Sequence, residues 1–142
     1  MNGLQQLDVS DNKLAWLPKS FGSLINLETF YLWGNQLTSL PEWLGNLKLQ
    51  NLSLSENQLT SLPESFGNLT RLQWLNLSGN KLTSLPTGIR ELRALTHLFL
   101  HDNPALDLPV EVLGPGFNDV GGQTRPATPS VILDYYFHAH DG

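Results

Sequence analysis

Cysteine is absent from this chain of 142 residues. Disulfides therefore contribute nothing to its stability, and no thiolate is available as a nucleophile or a metal ligand. Small secreted domains often join their ends with disulfides, so a chain without cysteine favours a reducing compartment. The first residues, MNGLQQLDVS, also have neither the basic start nor the apolar core of a secretory signal. We therefore expect a cytoplasmic protein.

Charged residues are scarce, and most of them are acidic. The chain has 13 Asp and Glu against 8 Lys and Arg, which gives a formal net charge of −5. Nucleic acid or an anionic membrane surface would require a basic stripe on the protein. No apolar run approaches the roughly 20 residues that a membrane-spanning helix needs. We expect neither nucleic acid nor membrane as a partner, and the 40% hydrophobic content fits one folded domain.

A short repeat with a nearly constant period dominates the sequence. It is marked by an asparagine series, Asn12, Asn35, Asn57, Asn80 and Asn103, and by a proline series, Pro18, Pro41, Pro63, Pro86 and Pro109. Both series advance by the same step except once, where a residue is missing between Leu47 and Leu49. Such self-similarity is the signature of stacked repeats, none of which buries its leucines alone.

Each repeat carries the pattern L-x-x-L-x-L-x-x-N-x-L-x-x-L-P. Its alternating leucines predict a half-buried strand. The asparagine predicts a ladder of side-chain amides that satisfies backbone groups in adjacent turns. The pairs Pro41-Glu42 and Pro63-Glu64 predict very short helices on the return side. Three glycines are expected to end such helices: Gly22, Gly45 and Gly67.

This pattern resembles the leucine-rich repeat family, and five copies cover residues 4 to about 113. The resemblance implies an α/β leucine-rich-repeat solenoid. It would be right-handed, with a parallel β-sheet on the concave face and short helical or irregular convex turns. Its five repeats would each have roughly 22–23 residues, which is within the range of the family. We predict the solenoid over residues 1–113, a Gly/Pro-rich linker over 114–130, and the start of a docking or connecting helix over 131–142.

The predicted C-terminal helix follows Pro129, with Ser130 as its expected cap. Its apolar side chains recur with the spacing i, i+1, i+4, i+5. The expected buried side comprises Val131, Ile132, Tyr135 and Tyr136.

The third, fifth and seventh places of each repeat project from the concave face, because side chains alternate along a strand. Repeat two places aromatics there and repeat three small polar residues, while repeats four and five again carry rings. We therefore expect two aromatic walls with a polar floor between them. The expected protein-binding residues are Tyr31, Trp33, Ser53, Ser55, Trp74, Asn76, His97, Phe99 and His101.

Tyr31 and Phe99 are three strands apart, roughly 14 Å, which admits a peptide segment or a helix. An expected acidic rim, formed by Asp8, Asp11, Glu56 and Asp102, would select a basic partner. The alternative is that the rings stack on one another and only stiffen the sheet. Trp16 and Trp43 lie outside the strands, where we expect return-side packing without a functional role.

Motifs for catalysis are missing from the sequence: G-x-x-x-x-G-K-[ST], G-x-S-x-G and H-E-x-x-H do not occur. His97 and His101 are four strand residues apart, about 13–14 Å, so they cannot share a metal ion. We expect no catalytic residues, no cofactor and no metal site.

The C-terminal third, HDNPALDLPVEVLGPG and then PSVILDYYF, resembles the end of the repeat domain in prokaryotic Roco proteins. In that family the linker leads to a Ras-like GTPase domain and a dimerising COR domain, which these residues do not contain. The resemblance implies a non-catalytic regulatory or sensing module whose partner is the parent chain's own GTPase or COR region. Any GTPase activity would lie downstream.

The first repeat has no polar cap, and the sequence stops within a predicted helix. These features lead us to expect either a fragment of a longer chain or a dimer joined at its ends. Two other functions remain open. One is a structural or dimerisation unit whose aromatic face lies in a homodimer, and the other is a free-standing effector that binds a host protein.

Overall fold

The computed structural model describes residues 3–116 and 126–140. Each repeat contributes one three-residue strand: β1 Gln6–Asp8, β2 Thr29–Tyr31, β3 Asn51–Ser53, β4 Trp74–Asn76 and β5 His97–Phe99. The strands form one parallel sheet in chain order. Equivalent places of successive repeats lie opposite each other, as in the pairs Tyr31–Ser53 and Ser53–Asn76. The predicted solenoid with a parallel sheet is confirmed.

Short helices form the return side of the solenoid. Four 3₁₀ helices each begin directly after the proline of a repeat, because proline has a φ suited to entering a helix. They are followed by one more 3₁₀ helix and the short helix α1. The bounds are Lys19–Ser23, Glu42–Asn46, Glu64–Asn68, Thr87–Glu91 and Pro104–Leu106 for the 3₁₀ helices, and Val110–Leu113 for α1.

The sequence predicts that a glycine ends each of the first three of these helices. In the structure these glycines instead lie one residue before the helix ends. Gly45 lies inside Glu42–Asn46, and Gly67 lies inside Glu64–Asn68. A Cβ atom on Gly45 would overlap the backbone carbonyl of Ser65 in the next repeat. The glycines therefore allow the helices of adjacent repeats to approach closely, and termination is not their role.

The core is a continuous stack of the patterned leucines, which lie between the sheet and the return helices. Leu52 and Leu54 of repeat three are fully buried, as are Leu75 and Leu77 of repeat four. Burial of each such side chain stabilises the fold by about 1.5–3 kcal/mol relative to exposure. The stacking of repeats, which share this core, thus supplies the stability that a single repeat lacks.

The predicted asparagine ladder is confirmed and joins neighbouring repeats. Asn57, which is 6% exposed, donates through Nδ2 to the carbonyls of Leu32 and Leu54, both at 3.0 Å. Its Oδ1 accepts the backbone N–H of Leu37 at 3.1 Å. The same arrangement recurs in later repeats, as at Asn80. One amide therefore satisfies backbone groups of two successive turns.

Helix α2 spans Pro129–His140. It begins before the predicted cap: the backbone carbonyl of Thr128 accepts the N–H groups of Val131 and Ile132, so Ser130 lies within the first turn. Proline suits this first helical position because its missing N–H would have no partner there.

The buried side of α2 is displaced by one residue from the predicted side. Leu133 and Phe137 are buried together with Ile132 and Tyr136, whereas Val131 is 52% exposed and Tyr135 is 41% exposed. The prediction was wrong because both sets of residues satisfy the same helical spacing. Contacts with the solenoid, which the spacing does not contain, decide between them.

Interactions with repeat four help to attach α2 to the solenoid. The hydroxyl of Tyr136 accepts the backbone N–H of Leu85 at 3.0 Å. Arg90 pairs with Asp134 at 3.2 Å, and its guanidinium lies 4.9 Å from the ring centre of Phe137. The ion pair is exposed and contributes little, so the buried hydrogen bond and the apolar contacts hold the helix.

Parts of the predicted domain division lie outside the described residues. Residues 117–125 of the predicted linker and residues 141–142 of the predicted helix are among them. The boundaries 1–113, 114–130 and 131–142 stay a prediction.

Candidate functional site

A groove crosses the concave face over repeats two to four. It encloses about 720 Å³, which lies within the range of ligand-binding clefts. Six of the nine residues predicted for protein binding line it: Tyr31, Trp33, Ser53, Ser55, Trp74 and Asn76. The geometry thus brings together the residues of repeats two, three and four.

Aromatic side chains form both walls of the groove. Tyr31 ends β2 and Trp33 follows two residues later, while Trp74 begins β4. Trp33 is 42% exposed, and the other two are half-buried. Because only β3 lies between β2 and β4, the backbones that carry the walls are about 10 Å apart. The groove therefore has the width of one extended chain.

The floor of the groove is polar and largely buried. Ser53 and Asn76 are each 3% exposed. The Oδ1 atom of Asn76 accepts the backbone N–H of Ser78 at 3.0 Å and also the Ser78 hydroxyl. The Nδ2 atom of Asn76 makes no hydrogen bond to any residue that the structure describes. The floor therefore offers an unused N–H donor.

Three further residues line the groove: Asp8, Asn51 and Glu56. Asp8 and Glu56 had been predicted as part of an acidic rim. Asn51 belongs to the polar floor expected for repeat three, although it is not among the nine predicted binding residues, and it is opposite Trp74 in the register. Its third place in repeat three was the available signal, because that place faces the same side as Trp74.

The turn after each strand contains a residue with positive φ, at the eighth place of the repeat. Acidic residues alternate there with glycine, in the order Asp11, Gly34, Glu56, Gly79 and Asp102. Glu56, at φ 54°, holds a conformation that favours glycine. Its carboxylate lies where a side chain on Gly79 would be, so a Cβ at Gly79 would collide with it. The glycine of repeat four thus makes room for the acid of repeat three.

Asp8 stands exposed at the other side of the groove, next to Tyr31 in the register. The backbone N–H of Ser10 donates to Asp8 Oδ1 at 2.9 Å. This bond stabilises the carboxylate and lowers the pKa of Asp8. Asp8 is therefore ionised at neutral pH.

The predicted residues of repeat five do not line the groove. Phe99 is 1% exposed, and its ring centre lies 5.7 Å from that of Trp74 and 6.1 Å from that of His101. The expectation of an exposed wall at Phe99 is wrong, because ring contacts of this kind remove apolar area from water. His97 is half-buried, with Nδ1 2.9 Å from the Thr96 hydroxyl.

His101 is engaged by the chain that follows the last repeat. Its Nε2 lies 2.7 Å from the carbonyl oxygen of Gly114, and a Cβ on Gly116 would lie 3.3 Å from its ring. The repeat pattern contains no signal for this contact, since it depends on how the chain returns after Leu113. Trp74 is therefore the wall on the C-terminal side. The groove is one strand narrower than the span that the sequence predicted between repeats two and five.

The two tryptophans outside the sheet differ from each other. Trp43 packs over Gly22, where a Cβ would lie 3.2 Å from the indole, so the expected return-side packing is confirmed. Trp16 is 73% exposed. The expectation of packing is wrong for Trp16, which makes it a useful control for the groove tryptophans.

Comparison with known proteins identifies the family. The family model described as leucine rich repeat matches residues 2–59 and 48–104. These matches span well over half of the chain. The chain belongs to the leucine-rich repeat family.

Individual relatives share the repeats but are much longer. A plant intracellular Ras-group-related LRR protein 7 from Oryza sativa subsp. japonica is 38% identical over 47 residues, which are 33% of this chain and 18% of the rice protein. An LRR protein of Leptospira interrogans is 47% identical with a TM-score of 0.66, over 67% of this chain and 24% of that one. The plant peptide hormone receptor RGFR1, in complex with RGF2, is 34% identical with a TM-score of 0.65, over 71% of this chain and 17% of the receptor.

The matched part is thus less than a quarter of each of these relatives. Within the described ranges, no helix combines the length and the apolar character needed to cross a membrane.

Proposed function

We propose that this chain is a non-catalytic interaction module that binds an extended protein or peptide segment in the concave groove. The observation that carries the proposal is the placement of Tyr31, Trp33 and Trp74 around a cleft of about 720 Å³. Tyrosine and tryptophan dominate binding energy at protein interfaces, because each buries a large area at a small entropic cost. The polar floor beneath them suits the backbone of a bound segment.

Family membership supports this proposal. Leucine-rich repeats typically serve as protein-interaction modules, and the parallel sheet gives them an extended concave surface. One similar structure is of a peptide hormone receptor in complex with RGF2. That match concerns the repeats alone, so the ligand of the receptor is not carried over to this chain.

A narrower proposal concerns the parent protein. The run from Ile132 to Phe137 and the Gly/Pro-rich stretch before it suggest the regulatory domain of a bacterial Roco-type signalling GTPase. The partner would then be the GTPase or COR region of the same chain, and the GTPase activity would lie there. The absence of cysteine favours a cytoplasmic location.

A homodimer through the same face is the second candidate. Trp33, at 42% exposed, also suits a contact between two copies. Sedimentation equilibrium tests this directly. A dimeric mass that is lost in Trp33→Ala would show that the face serves self-association. A monomeric mass at all concentrations would support the binding of a separate partner segment.

The binding face is tested by selecting peptides and then locating them. A phage library of short random peptides is selected on the immobilised chain, and the peptides are titrated into ¹⁵N-labelled protein. Signals of Tyr31, Trp33 and Trp74 should shift, whereas the exposed Trp16 should not. Selection of no peptide, or shifts confined to the return helices, would contradict the proposal.

A further inference from the structure

Two further rings of the concave face stand behind the C-terminal wall of the groove. Trp74 contacts Phe99, with 5.7 Å between the ring centres, and Phe99 contacts His101, with 6.1 Å between theirs. Phe99 is 1% exposed, although its place in the repeat faces the concave side. Trp74, Phe99 and His101 therefore form a continuous ring row, which leads from the groove across repeat five.

The far end of the ring row is held by residues 114–116, which follow α1 and form a C-terminal strap. His101 Nε2 lies 2.7 Å from the carbonyl oxygen of Gly114. Because a carbonyl only accepts, Nε2 carries the proton and donates it to this bond. A Cβ on Gly116 would lie 3.3 Å from the imidazole, so Gly116 lies close to the ring. His101 Nδ1 is buried without a partner among the described residues, so the bond to Gly114 orients the imidazole.

Phe99 supports the side chain that forms the wall. Trp74 is half-buried, and it lines the groove with its remaining surface. A tryptophan binds a partner more tightly when its side chain is already ordered, because less entropy is then lost on binding. The contact with Phe99 limits the rotation of the Trp74 side chain. Loss of this support would leave the wall less ordered and would lower the affinity of the groove.

We propose that the C-terminal strap controls the affinity of the groove through the ring row. The strap holds His101, His101 packs on Phe99, and Phe99 keeps Trp74 in its binding position. His101 and Phe99 are positioning residues, because neither lines the groove. This inference rests on the proposed function and adds its regulation, since a change in the strap reaches the groove without contacting the bound segment.

The first test needs no ligand. The indole N–H signals are compared between ¹⁵N-labelled wild-type protein and His101→Ala. The signal of Trp74 should shift, whereas those of Trp33 and Trp16 should not. His138→Ala is the matched control, because His138 is exposed on α2, and it should leave the indole signals in place. An unchanged Trp74 signal in His101→Ala would overturn the coupling, whatever the groove binds.

A double-mutant cycle then tests the effect on binding. A phage-selected peptide is titrated by calorimetry into His101→Ala, Trp74→Ala and the double variant. His101→Ala should weaken binding by about fivefold or more, which is the usual lower size of such couplings. In the Trp74→Ala background the same change should have no further effect, because His101 acts through Trp74. In the Trp33→Ala background it should keep its full effect. Equal losses in both backgrounds would indicate general destabilisation and would overturn the proposal.

His101→Phe separates the hydrogen bond from the ring. This variant keeps a planar ring beside Phe99, but it cannot donate to the carbonyl of Gly114. It should weaken binding as His101→Ala does, and wild-type affinity would overturn the part played by the strap. If the library yields no peptide, the proposed function fails, and the regulation of binding fails with it. The Trp74 signal of the free protein still decides whether His101 positions the wall.

Discussion

The carboxylate of Glu56 occupies the space that a side chain on Gly79 would need. Gly79 also has a φ of 71°, which L-residues with a side chain rarely adopt. The glycine of repeat four thus has two functions: it forms its own turn and it makes room for an acid of the groove.

Gly79→Ala should therefore lower the free energy of unfolding by about 1–2 kcal/mol from the backbone alone. It should also displace the carboxylate of Glu56, which a Cβ at Gly79 would meet. Gly3 is the matched control, because a Cβ there meets nothing within 4 Å. Urea unfolding that shows equal stability for Gly79→Ala and Gly3→Ala would contradict this account of the turn.

Asn57→Ala should destabilise the protein by about 3 kcal/mol or more. The change leaves the buried N–H of Leu37 without its acceptor and removes one of two amide donors from the carbonyls of Leu32 and Leu54, which keep those of Asn35 and Asn80. Asn12 occupies the same place in repeat one, but it is exposed and bonds to carbonyls of its own repeat. Asn12→Ala should lower the free energy of unfolding by less than about 1 kcal/mol. Thermal unfolding of the two variants compares them, and similar losses would contradict the ladder.

Tyr136→Phe should destabilise the attachment of α2 by about 1–3 kcal/mol, because the buried N–H of Leu85 loses its acceptor. Tyr135→Phe, on the exposed side, should have little effect. Hydrogen exchange at the Leu85 amide provides the measurement. Faster exchange in Tyr136→Phe alone is expected, and unchanged exchange would show that the bond does not hold the helix.

Asp8 should titrate below the usual pKa of aspartate, about 3.9. The hydrogen bond from the Ser10 N–H lowers the pKa of Asp8 in the folded protein. The ionised carboxylate therefore stabilises the fold fully above the unfolded pKa. This stabilisation is lost as the pH falls through the folded pKa. A ¹³C titration of the carboxyl group measures this value. In Asp8→Asn this part of the acid dependence of unfolding should disappear. A carboxyl that titrates at or above the usual value would contradict the assigned hydrogen bond.

The fold was predictable because the same sequence pattern, and so the same local structure, occurs five times. Leucine spacing indicated the strands, and the asparagine at each turn indicated the ladder. The role of Gly45 was not predictable, because the close approach of Ser65 depends on the stacking of neighbouring repeats. The predicted buried side of α2 was displaced by one residue from the observed one, because the two sets of residues have the same helical spacing.

The site was predictable in part. The alternation along the strands placed Tyr31, Trp33 and Trp74 on one face. It did not show that Phe99 is buried or that His101 contacts Gly114. Those contacts arise between strands and from the returning chain, and a periodic pattern contains neither. The exposure of each ring therefore required the structure.

The central claim is that partners bind in the concave groove through its aromatic walls. The most direct measurement is calorimetric titration of a phage-selected peptide into Trp33→Ala and Trp16→Ala. Both residues are exposed tryptophans, but only Trp33 lines the groove. We predict a loss of about 2 kcal/mol or more in Trp33→Ala and none in Trp16→Ala. Equal affinities for the two variants would contradict the account.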